Sequence, residues 1–545
     1  MAGTVTDSPT GLPAGPVTGS ATGPASGSGV GPGGRLSPDL VARLVAHIVS
    51  DGATSLTTRS PMDDGPLASI PQSSDADVLA AAARARELQR DWAQTSFAER
   101  RTIFLDFHDL VLDRQSEVLD LIQLEAGKAR HHAFEEVADT ALVAKYYART
   151  AQRHLSPRRR VPGLPVVMRT HVEHHPKGVV AMITPWNYPL SMGITDSIPA
   201  LMAGNAVLHK PDAQTPLSAL WAVDLLEEAG LPAGLIQIVT GPGRRLGGPM
   251  IDHSDFVCFT GSTATGRLIN EHASRRLIGT SLELGGKNAQ IVLPDADLDK
   301  AAAGAVRAAF SSAGQLCIAM ERVLVYEKVY HDFMDRFVAK VSALKLGAGL
   351  DFSADMGSLA SADQLEKVSA HVEDARAKGA TIRTGGRARP DLGPYFYEPT
   401  VLTDVGEDMA VCHEETFGPV VSVWPYSAVQ DAIDWANDTP YGLNASVFGR
   451  DLAHARAVAR QIRAGTVNIN EGYGAAWGSV DAPMGGMGDS GLSRRHGREG
   501  IVKYTEPQTV SSLHHITIEP MYGISYENWA RLLTTGLKVM KRVGM

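Results

Sequence analysis

The sequence predicts an α/β fold, and two observations carry that prediction. From residue 178 onward, short apolar runs alternate with helical stretches, which is typical of parallel strands covered by helices. The chain has 545 residues, more than one hydrophobic core usually supports, so two or more domains are expected.

The predicted elements fall into three groups along the chain. Apolar spacing near the start predicts helices at Asp75–Trp92, 101–111, 118–125 and 134–149. A run of short apolar strands follows, at 178–184, 206–209, 236–239, 256–259 and 289–292. A second α/β portion begins past residue 297 and extends to about residue 470, with helices predicted at 299–310, 330–344 and 361–377. In the first helix we expect these residues on one face: Val78, Leu79, Ala82, Leu88 and Trp92.

Two alternating segments lie outside these groups. Residues 165–175, which follow a basic proline-containing linker at 156–164, and residues 507–518 are typical of isolated strands. An isolated strand exposes unpaired backbone groups, so we expect these two to pair with each other or with a second subunit's sheet edge. An amphipathic basic helix is predicted at 526–543.

Composition narrows the class of function. A formal net charge of −9 argues against nucleic acid or an anionic membrane surface as the main partner. No apolar run reaches the roughly 18–20 residues of a membrane-spanning segment. Three cysteines leave no disulfide framework and favour the cytoplasm. Residues 1–34, rich in Gly, Pro, Ser and Thr, are expected to form a disordered tail.

Two motifs carry residues suited to covalent catalysis. Glu283 lies in Leu-Glu-Leu-Gly-Gly-Lys-Asn, which predicts flexible, exposed backbone, and Cys317 follows Gly-Gln-Leu. A thiolate attacks a carbonyl carbon, and a carboxylate can activate the water that hydrolyses the resulting thioester. Each residue also fits a plainer role. Cys317 could be a buried structural cysteine, as we interpret Cys258 and Cys412, and Glu283 a salt-bridge partner of Lys287.

Asn187 supplies a third candidate group. It lies in Pro-Trp-Asn-Tyr-Pro, directly after a predicted strand. Its amide and the backbone N–H of Cys317 could stabilise an oxyanion, although an asparagine also commonly closes a proline-rich turn.

Three further segments suit a dinucleotide. Lys210 stands at the carboxyl end of a predicted strand, where an ammonium can reach ribose hydroxyls or a 2′-phosphate. Phe-Thr-Gly-Ser-Thr at 259–263 precedes a helix predicted to open at Thr265, and a helix N-terminus suits pyrophosphate. Gly241, Gly243 and Gly247 are spaced G-x-G-x-x-x-G, one residue longer than the usual fingerprint.

Taken together and in this order, these motifs resemble those of the aldehyde dehydrogenase superfamily, over about residues 75–510. The resemblance implies Cys317 as nucleophile, Glu283 as general base and Asn187 as oxyanion donor. It also implies a Rossmann-type dinucleotide-binding domain, an α/β catalytic domain and a small β oligomerisation element in a homodimer or homotetramer. The implied boundaries are 1–35 for the disordered tail, 36–160 and 178–285 for the dinucleotide-binding domain, 286–490 for the catalytic domain, 161–177 and 505–520 for the oligomerisation strands, and 521–545 for a helical C-terminal tail.

The same resemblance assigns a cofactor site. A family glutamate matching Glu415 holds the nicotinamide ribose, and the phenylalanine matching Phe417 packs beside the nicotinamide. The expected cofactor is NADP, with NAD as an alternative, because Ala213 stands where NAD-preferring relatives often carry a glutamate that would repel a 2′-phosphate. The implied cofactor residues are Trp186, Asn187, Lys210, Pro211, Asp212, Ala213, Gly243, Gly261, Ser262, Leu284, Glu415 and Phe417. The implied substrate-side loops contain Asn468, Asn470, 483–486, Ser490 and Gly491.

Within the superfamily, the chain most resembles bacterial NADP-dependent succinate-semialdehyde dehydrogenases of the second, actinobacterial type. Leu-Glu-Ala-Gly-Lys-Ala-Arg at 124–130 and the glycine-rich stretch 486–497 carry this likeness. Better-studied members have arginines for the substrate carboxylate where this chain has Thr195 and Ser311. If the substrate is anionic, the candidate cation is therefore Arg494 or Arg495.

Three alternatives stay open beside the oxidation of succinate semialdehyde. The first is that the substrate is another aliphatic or aromatic aldehyde. The second is that the acyl group passes to coenzyme A instead of water; Glu283 argues against this transfer, because a water-activating base is needed only for hydrolysis. A non-catalytic relative is the third, and the intact set of Cys317, Glu283 and Asn187 argues against it. Histidines at 131–132, 171, 174–175 and 514–515 lack metal-ligand spacing, so we interpret them as surface residues and expect no metal.

Overall fold

A computed structural model describes residues 35–163, 168–514 and 519–542. The tail predicted at 1–34 lies outside these ranges. The described residues form two large, mainly parallel sheets covered by helices, a three-stranded antiparallel sheet and an antiparallel strand pair. The α/β prediction is therefore confirmed.

The first large sheet contains four of the strands predicted between residues 178 and 259. Its core strands are buried along their whole length, which explains their uninterrupted apolar sequences. The strand order is Gly491–Leu492, Gly279–Glu283, Phe256–Thr260, Val179–Ile183, Ala206–Lys210 and Ile236–Ile238, with the first strand antiparallel to its neighbour and the others parallel. The surrounding helices are Asp75–Trp92, Phe97–Asp113, Gln115–Ala126, Arg130–Leu155, Ser191–Ile194, Ser197–Met202, Pro216–Glu228, Gly243–Asp252, Thr263–Arg275 and Gly497–Val502.

The second large sheet begins with Asn288–Val292, the last strand of the predicted run. Side chains alternate across its two faces, so Ile291 and Val292 belong to different apolar clusters. The strand order is Thr381–Thr384, Thr400–Thr403, Val420–Tyr426, Met320–Tyr326, Asn288–Val292, Asn444–Phe448 and Thr466–Ile469, with Thr381–Thr384 antiparallel. The helices here are Leu298–Phe310, Glu327–Ser342, Ala362–Ala377, Ala410–His413, Val429–Asn437, Leu452–Ala459 and Gly474–Trp477, with 3₁₀ turns at Ser311–Gly314 and Gly488–Ser490.

The two predicted isolated strands pair with each other. Thr505–Leu513 lies antiparallel to Met168–Pro176 over nine residue pairs. Residues 156–164 were predicted to be a linker, but Arg158–Arg160 within them forms a third strand on the other edge of Met168–Pro176. The C-terminal helix is present as Tyr526–Arg542 and exposes Leu532 and Leu537.

The N-terminal part contains the predicted helices and some unpredicted elements. The helix Asp75–Trp92 begins at a capping box formed by Ser74 and Asp77. Its predicted apolar face is wrong at Leu79, which is 47% exposed, because the buried side is made by alanines instead. The unpredicted elements are the helix Pro38–Val45 and the antiparallel strands Ser55–Arg59 and Pro66–Pro71.

No helix in the described ranges has both the length and the apolar character needed to cross a bilayer.

Candidate active site

One pocket contains all three residues predicted to be catalytic. Asn187, Glu283 and Cys317 line it, with contributions from the carboxyl ends of Val179–Ile183 and Gly279–Glu283. In parallel sheets this edge is where ligands bind, since loops and helix N-termini converge there. Seven of the predicted cofactor residues line the same pocket, namely Asn187 itself and Trp186, Gly261, Ser262, Leu284, Glu415 and Phe417.

A strained turn places Cys317 in the pocket. Ser312, Ala313 and Gly314 all have positive φ, at 51°, 56° and 71°. A Cβ atom on Gly314 would lie 2.0 Å from the carbonyl oxygen of Gly418, so glycine is required at this point. Glycine at position 314 therefore permits the tight turn that precedes the nucleophile.

Glu283 occupies the end of a strand, but it is buried rather than exposed as predicted. Its exposed fraction is 6%, because the short strand Gly491–Leu492 pairs with it and covers it. Its Oε1 has no hydrogen-bond partner among the described residues and faces Gly485, where a Cβ atom would lie 2.8 Å away. The alternative role as a salt-bridge partner of Lys287 is also wrong, since that lysine pairs with Glu321 at 2.5 Å.

Burial sets the protonation of both reacting groups. It raises the pKa of the Glu283 carboxyl to about 7, and the nearby Arg495 guanidinium limits that rise. Burial also raises the pKa of the Cys317 thiol to about 12, and the carboxylates of Glu283 and Glu415 add to the shift. The resting thiol is therefore protonated near neutral pH, whereas the Glu283 carboxyl titrates close to neutrality.

Asn187 is buried and held from two sides. Its Nδ2 donates to the backbone carbonyl of Gln315 at 2.9 Å. The backbone carbonyl of Asn187 accepts a hydrogen bond from Nζ of Lys128 at 2.7 Å. Lys128 in turn forms a fully buried ion pair with Glu136. A buried pair of this kind fixes geometry because both charges need their partners. Sequence reasoning missed this support, although Lys128 lies in the stretch Leu-Glu-Ala-Gly-Lys-Ala-Arg.

Lys210 lies beside the pocket, at the end of its strand as predicted. Its exposed fraction is 5%, and burial lowers its pKa, while the Asp212 carboxylate opposes that shift. Its Nζ donates to the carbonyl of Pro211 at 2.9 Å. A Cβ atom on Gly243 would come within 3.7 Å of its side chain. A buried ammonium with a neutral acceptor is suited to an anionic or hydroxyl-rich ligand.

Trp186, Ser262 and Phe417 line the pocket, whereas Lys210, Pro211, Asp212, Ala213 and Gly243 do not. Ser262 caps the helix Thr263–Arg275 by accepting from the backbone N–H of Thr265, as the predicted anion site requires. The Trp186 and Phe417 rings meet edge to face, with centroids 5.6 Å apart. Two aromatic faces beside a helix N-terminus fit a flat heterocycle linked to a pyrophosphate.

Glu415 reaches the glycines that follow Glu283. Its Oε1 accepts from the backbone N–H of Gly286 at 2.8 Å. A side chain on Gly285 would collide with its Oε2, at 2.5 Å. Burial raises the pKa of this carboxyl to about 7, and Glu321 adds to the shift. The absence of a side chain at Gly285 therefore leaves room for the Glu415 carboxylate.

Comparison with known proteins identifies the family. A profile described as "Aldehyde dehydrogenase family" matches residues 48–510. The chain belongs to the aldehyde dehydrogenase family. A protein of Mycolicibacterium smegmatis named "Putative succinate-semialdehyde dehydrogenase", NADP(+), is 52% identical over 477 residues, which cover 88% of this chain and 92% of that protein.

Two solved structures show the same fold. An NADP-dependent enzyme of E. coli superimposes with a TM-score of 0.82 at 34% identity, covering 86% of this chain and 96% of the other. The NAD+ complex of a Bacillus cereus aldehyde dehydrogenase superimposes with a TM-score of 0.82 at 34% identity, covering 88% of this chain and 99% of the other. The aldehyde dehydrogenase-like fold expected from the motifs is thus confirmed.

The inner part of the dehydrogenase pocket was not predicted in detail. Its apolar lining includes Tyr188, Met192, Leu316, Ile318, Leu443, Trp477 and Met484. Polar groups from distant segments join it, namely Asp139, Arg495 and His496. Of the two arginines proposed from sequence, Arg495 lines the pocket, whereas Arg494 donates to the carbonyls of Gly486 and Ser493.

The histidines do not all lie at the surface. His132 is buried, and its Nδ1 accepts from the backbone N–H of Ser312 at 3.3 Å, so its interpretation as a surface residue is wrong. His515 lies outside the described residues. Within the described ranges, no three His, Cys, Asp or Glu side chains are grouped as a metal ion would need.

Proposed function

We propose that the enzyme oxidises succinate semialdehyde to succinate with NADP, through a thioester on Cys317. The convergence of Cys317, Glu283 and Asn187 in one pocket, beside dinucleotide-type features, carries the proposal of aldehyde oxidation. The name of the mycobacterial relative supports the choice of substrate and cofactor. A cytoplasmic location fits this chemistry, because a reducing compartment keeps the thiol free.

The first half of the reaction forms a covalent adduct on the enzyme. As the Cys317 sulfur attacks the aldehyde carbon, the thiol proton is released to solvent, so this step does not require the Glu283 carboxylate. The Asn187 amide and the backbone N–H of Cys317 donate to the developing oxyanion. When bound, the nicotinamide accepts the hydride that converts the thiohemiacetal to a thioester.

The second half releases the acid. Glu283, once ionised, takes a proton from water as the water attacks the thioester carbon, and the Cys317 thiolate leaves. The unpaired Oε1 of Glu283 is available for that water, since no described residue occupies it. A base in this position supports hydrolysis over transfer to coenzyme A.

The cofactor residues fit a nicotinamide dinucleotide. Lys210 would contact the adenosine ribose or its 2′-phosphate, and the helix that begins at Thr263 would face the pyrophosphate. Glu415 would hold the nicotinamide ribose. Ala213 is half-buried and uncharged, which supports NADP, while the NAD+ complex of the Bacillus cereus structure supports NAD as an alternative.

One observation favours a second candidate substrate class. The pocket beside Cys317 is lined by aromatic and thioether side chains, including Tyr188, Met192 and Trp477. Such a lining suits an uncharged aliphatic or aromatic aldehyde.

The test is kcat/KM for a panel of aldehydes with both cofactors. We expect succinate semialdehyde with NADP to give the highest value, at least about tenfold above butanal, which has the same carbon chain length without the carboxylate. A higher value for butanal or benzaldehyde would replace succinate semialdehyde by the second candidate class. Acyl transfer to added coenzyme A faster than hydrolysis would contradict the role of Glu283.

We also propose that the three-stranded sheet joins subunits in a homodimer or homotetramer. Residues of Thr505–Leu513 are mostly exposed, and this strand forms an edge with unpaired backbone groups. Deleting residues 509–545 removes most of this edge, so light scattering should show a smaller particle than the wild type. An unchanged mass would contradict the assignment.

A further inference from the structure

The inner end of the pocket contains buried polar atoms without partners. Asp139 Oδ1, Glu283 Oε1, Arg495 Nε and His496 Nδ1 make no hydrogen bond to any described residue. All four side chains line the pocket that holds Cys317. Buried polar groups usually have partners, so four such atoms in one place indicate a compartment built to hold water or a polar ligand.

Arg495 lies among several charged side chains at this end of the pocket. Arg495 and Lys503 both lie against Asp196, at 3.1 Å and 3.4 Å, and all three side chains are buried. Although burial alone would raise it, these two cations hold the pKa of Asp196 at about 2, so Asp196 stays ionised. Burial raises the pKa of Asp139 to about 6. Asp196 is therefore ionised between two cations, and Asp139 adds a second negative charge near Arg495 at pH values above about 6.

The guanidinium of Arg495 keeps donor capacity toward the pocket. Its Nη2 donates to Oγ1 of Thr195 at 2.7 Å, and its Nε faces Asp196 without hydrogen-bond geometry. Its Nη1 meets the thioether sulfur of Met192 at 2.9 Å. A thioether is a weak acceptor, so a carboxylate oxygen would be a much better partner for that N–H edge.

We propose that Arg495 binds the distal carboxylate of the substrate and thereby selects aldehydes that carry one. The inference rests on the proposed function and names the residue that gives it specificity. The apolar lining near Met192 would cover the methylene groups, and the guanidinium would meet the carboxylate. Arg494 is one residue away but bonds to backbone carbonyls outside the pocket lining.

A different role for Arg495 would give different kinetics. It lies close enough to Glu283 to affect the pKa of that carboxyl, so it could act purely as a positioning residue for the base. Loss of a positioning residue would slow every aldehyde, because all substrates use the same base. Loss of a carboxylate-binding residue would slow only substrates that carry a carboxylate.

The experiment compares succinate semialdehyde with butanal in four proteins. Wild type, Arg495→Met, Arg495→Lys and Arg494→Met are assayed for kcat and KM, with melting temperature as the check on folding. Losing a charge-assisted contact should lower kcat/KM for succinate semialdehyde about 10–100-fold in Arg495→Met, mainly through KM. The kcat/KM for butanal should change less than about threefold in the same variant. Arg495→Lys should keep part of the preference, and Arg494→Met should keep the wild-type ratio.

Product inhibition gives a second measure of the same contact. Succinate should inhibit the wild type more strongly than butyrate, and Arg495→Lys should reduce that difference. This comparison uses Arg495→Lys, so it does not depend on measuring the low activity of Arg495→Met. If inhibition by succinate and inhibition by butyrate weakened equally in Arg495→Lys, the result would contradict a contact with the distal carboxylate.

The failures can be told apart. A wild type that prefers succinate semialdehyde while Arg495→Met keeps the same preference would overturn this inference and leave the proposed function standing. Equal losses of kcat/KM for both aldehydes in Arg495→Met would show that Arg495 is a positioning residue. A wild type without preference for succinate semialdehyde would overturn the proposed substrate together with this inference.

Discussion

The two ends of the pocket are built from different kinds of sequence. At the mouth, Gly261, Ser262 and Leu284 follow strands of one sheet within short glycine-containing motifs. At the inner end, Asp139 comes from the middle of a 26-residue helix and Arg495 from a loop more than 350 residues later. The chemistry and the dinucleotide therefore leave a local signature in the chain, whereas the surroundings of the substrate depend on contacts that only the fold creates.

The largest expected effects lie at the boundary between these two ends. Cys317→Ala should abolish turnover, because no other group in the pocket replaces the nucleophile. Glu283→Gln should slow hydrolysis of the thioester by about 10²–10⁴-fold and leave a burst of reduced cofactor close to one equivalent per site. Stopped-flow absorbance of the reduced nicotinamide measures both.

The pH profile serves as the control for this prediction. Because burial raises the pKa of Glu283 to about 7, the hydrolysis rate of the wild type should rise between about pH 6 and 8 as that group ionises, and Glu283→Gln should lose this rise. The stability linked to this raised pKa is fully present below the ordinary value of 4.5 and is lost as pH rises through about 7. Glu283→Gln should therefore melt at a higher temperature than the wild type above pH 7. A Glu283→Gln variant without a burst, yet still folded, would move the slow step before the thioester.

The order and type of the main elements followed from periodicity and alternation. Strands with uninterrupted apolar sequences, such as Val179–Ile183, are buried on both faces, so their signal was strong. The strand Arg158–Arg160 was missed because three arginines have no apolar alternation; its partner strand alone makes it a strand. Pairing of this kind is a property of two segments, and a single-segment pattern does not contain it.

The catalytic residues and their surroundings differ in the same way. Cys317 and Glu283 came from motifs, but the burial of Glu283 did not, because the strand that covers it lies more than 200 residues away. The contact between Lys128 and Asn187 likewise joins two segments, which lie 59 residues apart in sequence. Motifs within one segment found candidate residues that the structure brings into one pocket, whereas features that need two segments were missed.

A smaller effect should test the mouth of the pocket. Ala213 follows Asp212, whose Oδ1 accepts from the backbone N–H of Gln214 at 2.9 Å and is thus engaged by its own turn. An Ala213→Glu change places a second carboxylate near Lys210, where it would accept a hydrogen bond from a ribose 2′-hydroxyl and repel a 2′-phosphate carrying nearly two charges. We expect kcat/KM for NADP to fall about tenfold while that for NAD stays equal or rises.

The matched control for this change is Ala213→Gln, which has the same size without the charge. If repulsion sets the preference, Ala213→Gln should lower kcat/KM for NADP much less than Ala213→Glu does, and raising the salt concentration should narrow the gap between the two variants. Equal losses of kcat/KM for NADP in the two variants would indicate steric crowding at residue 213 instead. Unchanged kcat/KM for NADP in both would show that the 2′-phosphate lies elsewhere, and the exposed Arg244 would then be the next residue to substitute. The mouth of the pocket would in that case resemble its inner end, with specificity determined by residues outside the recognised motifs.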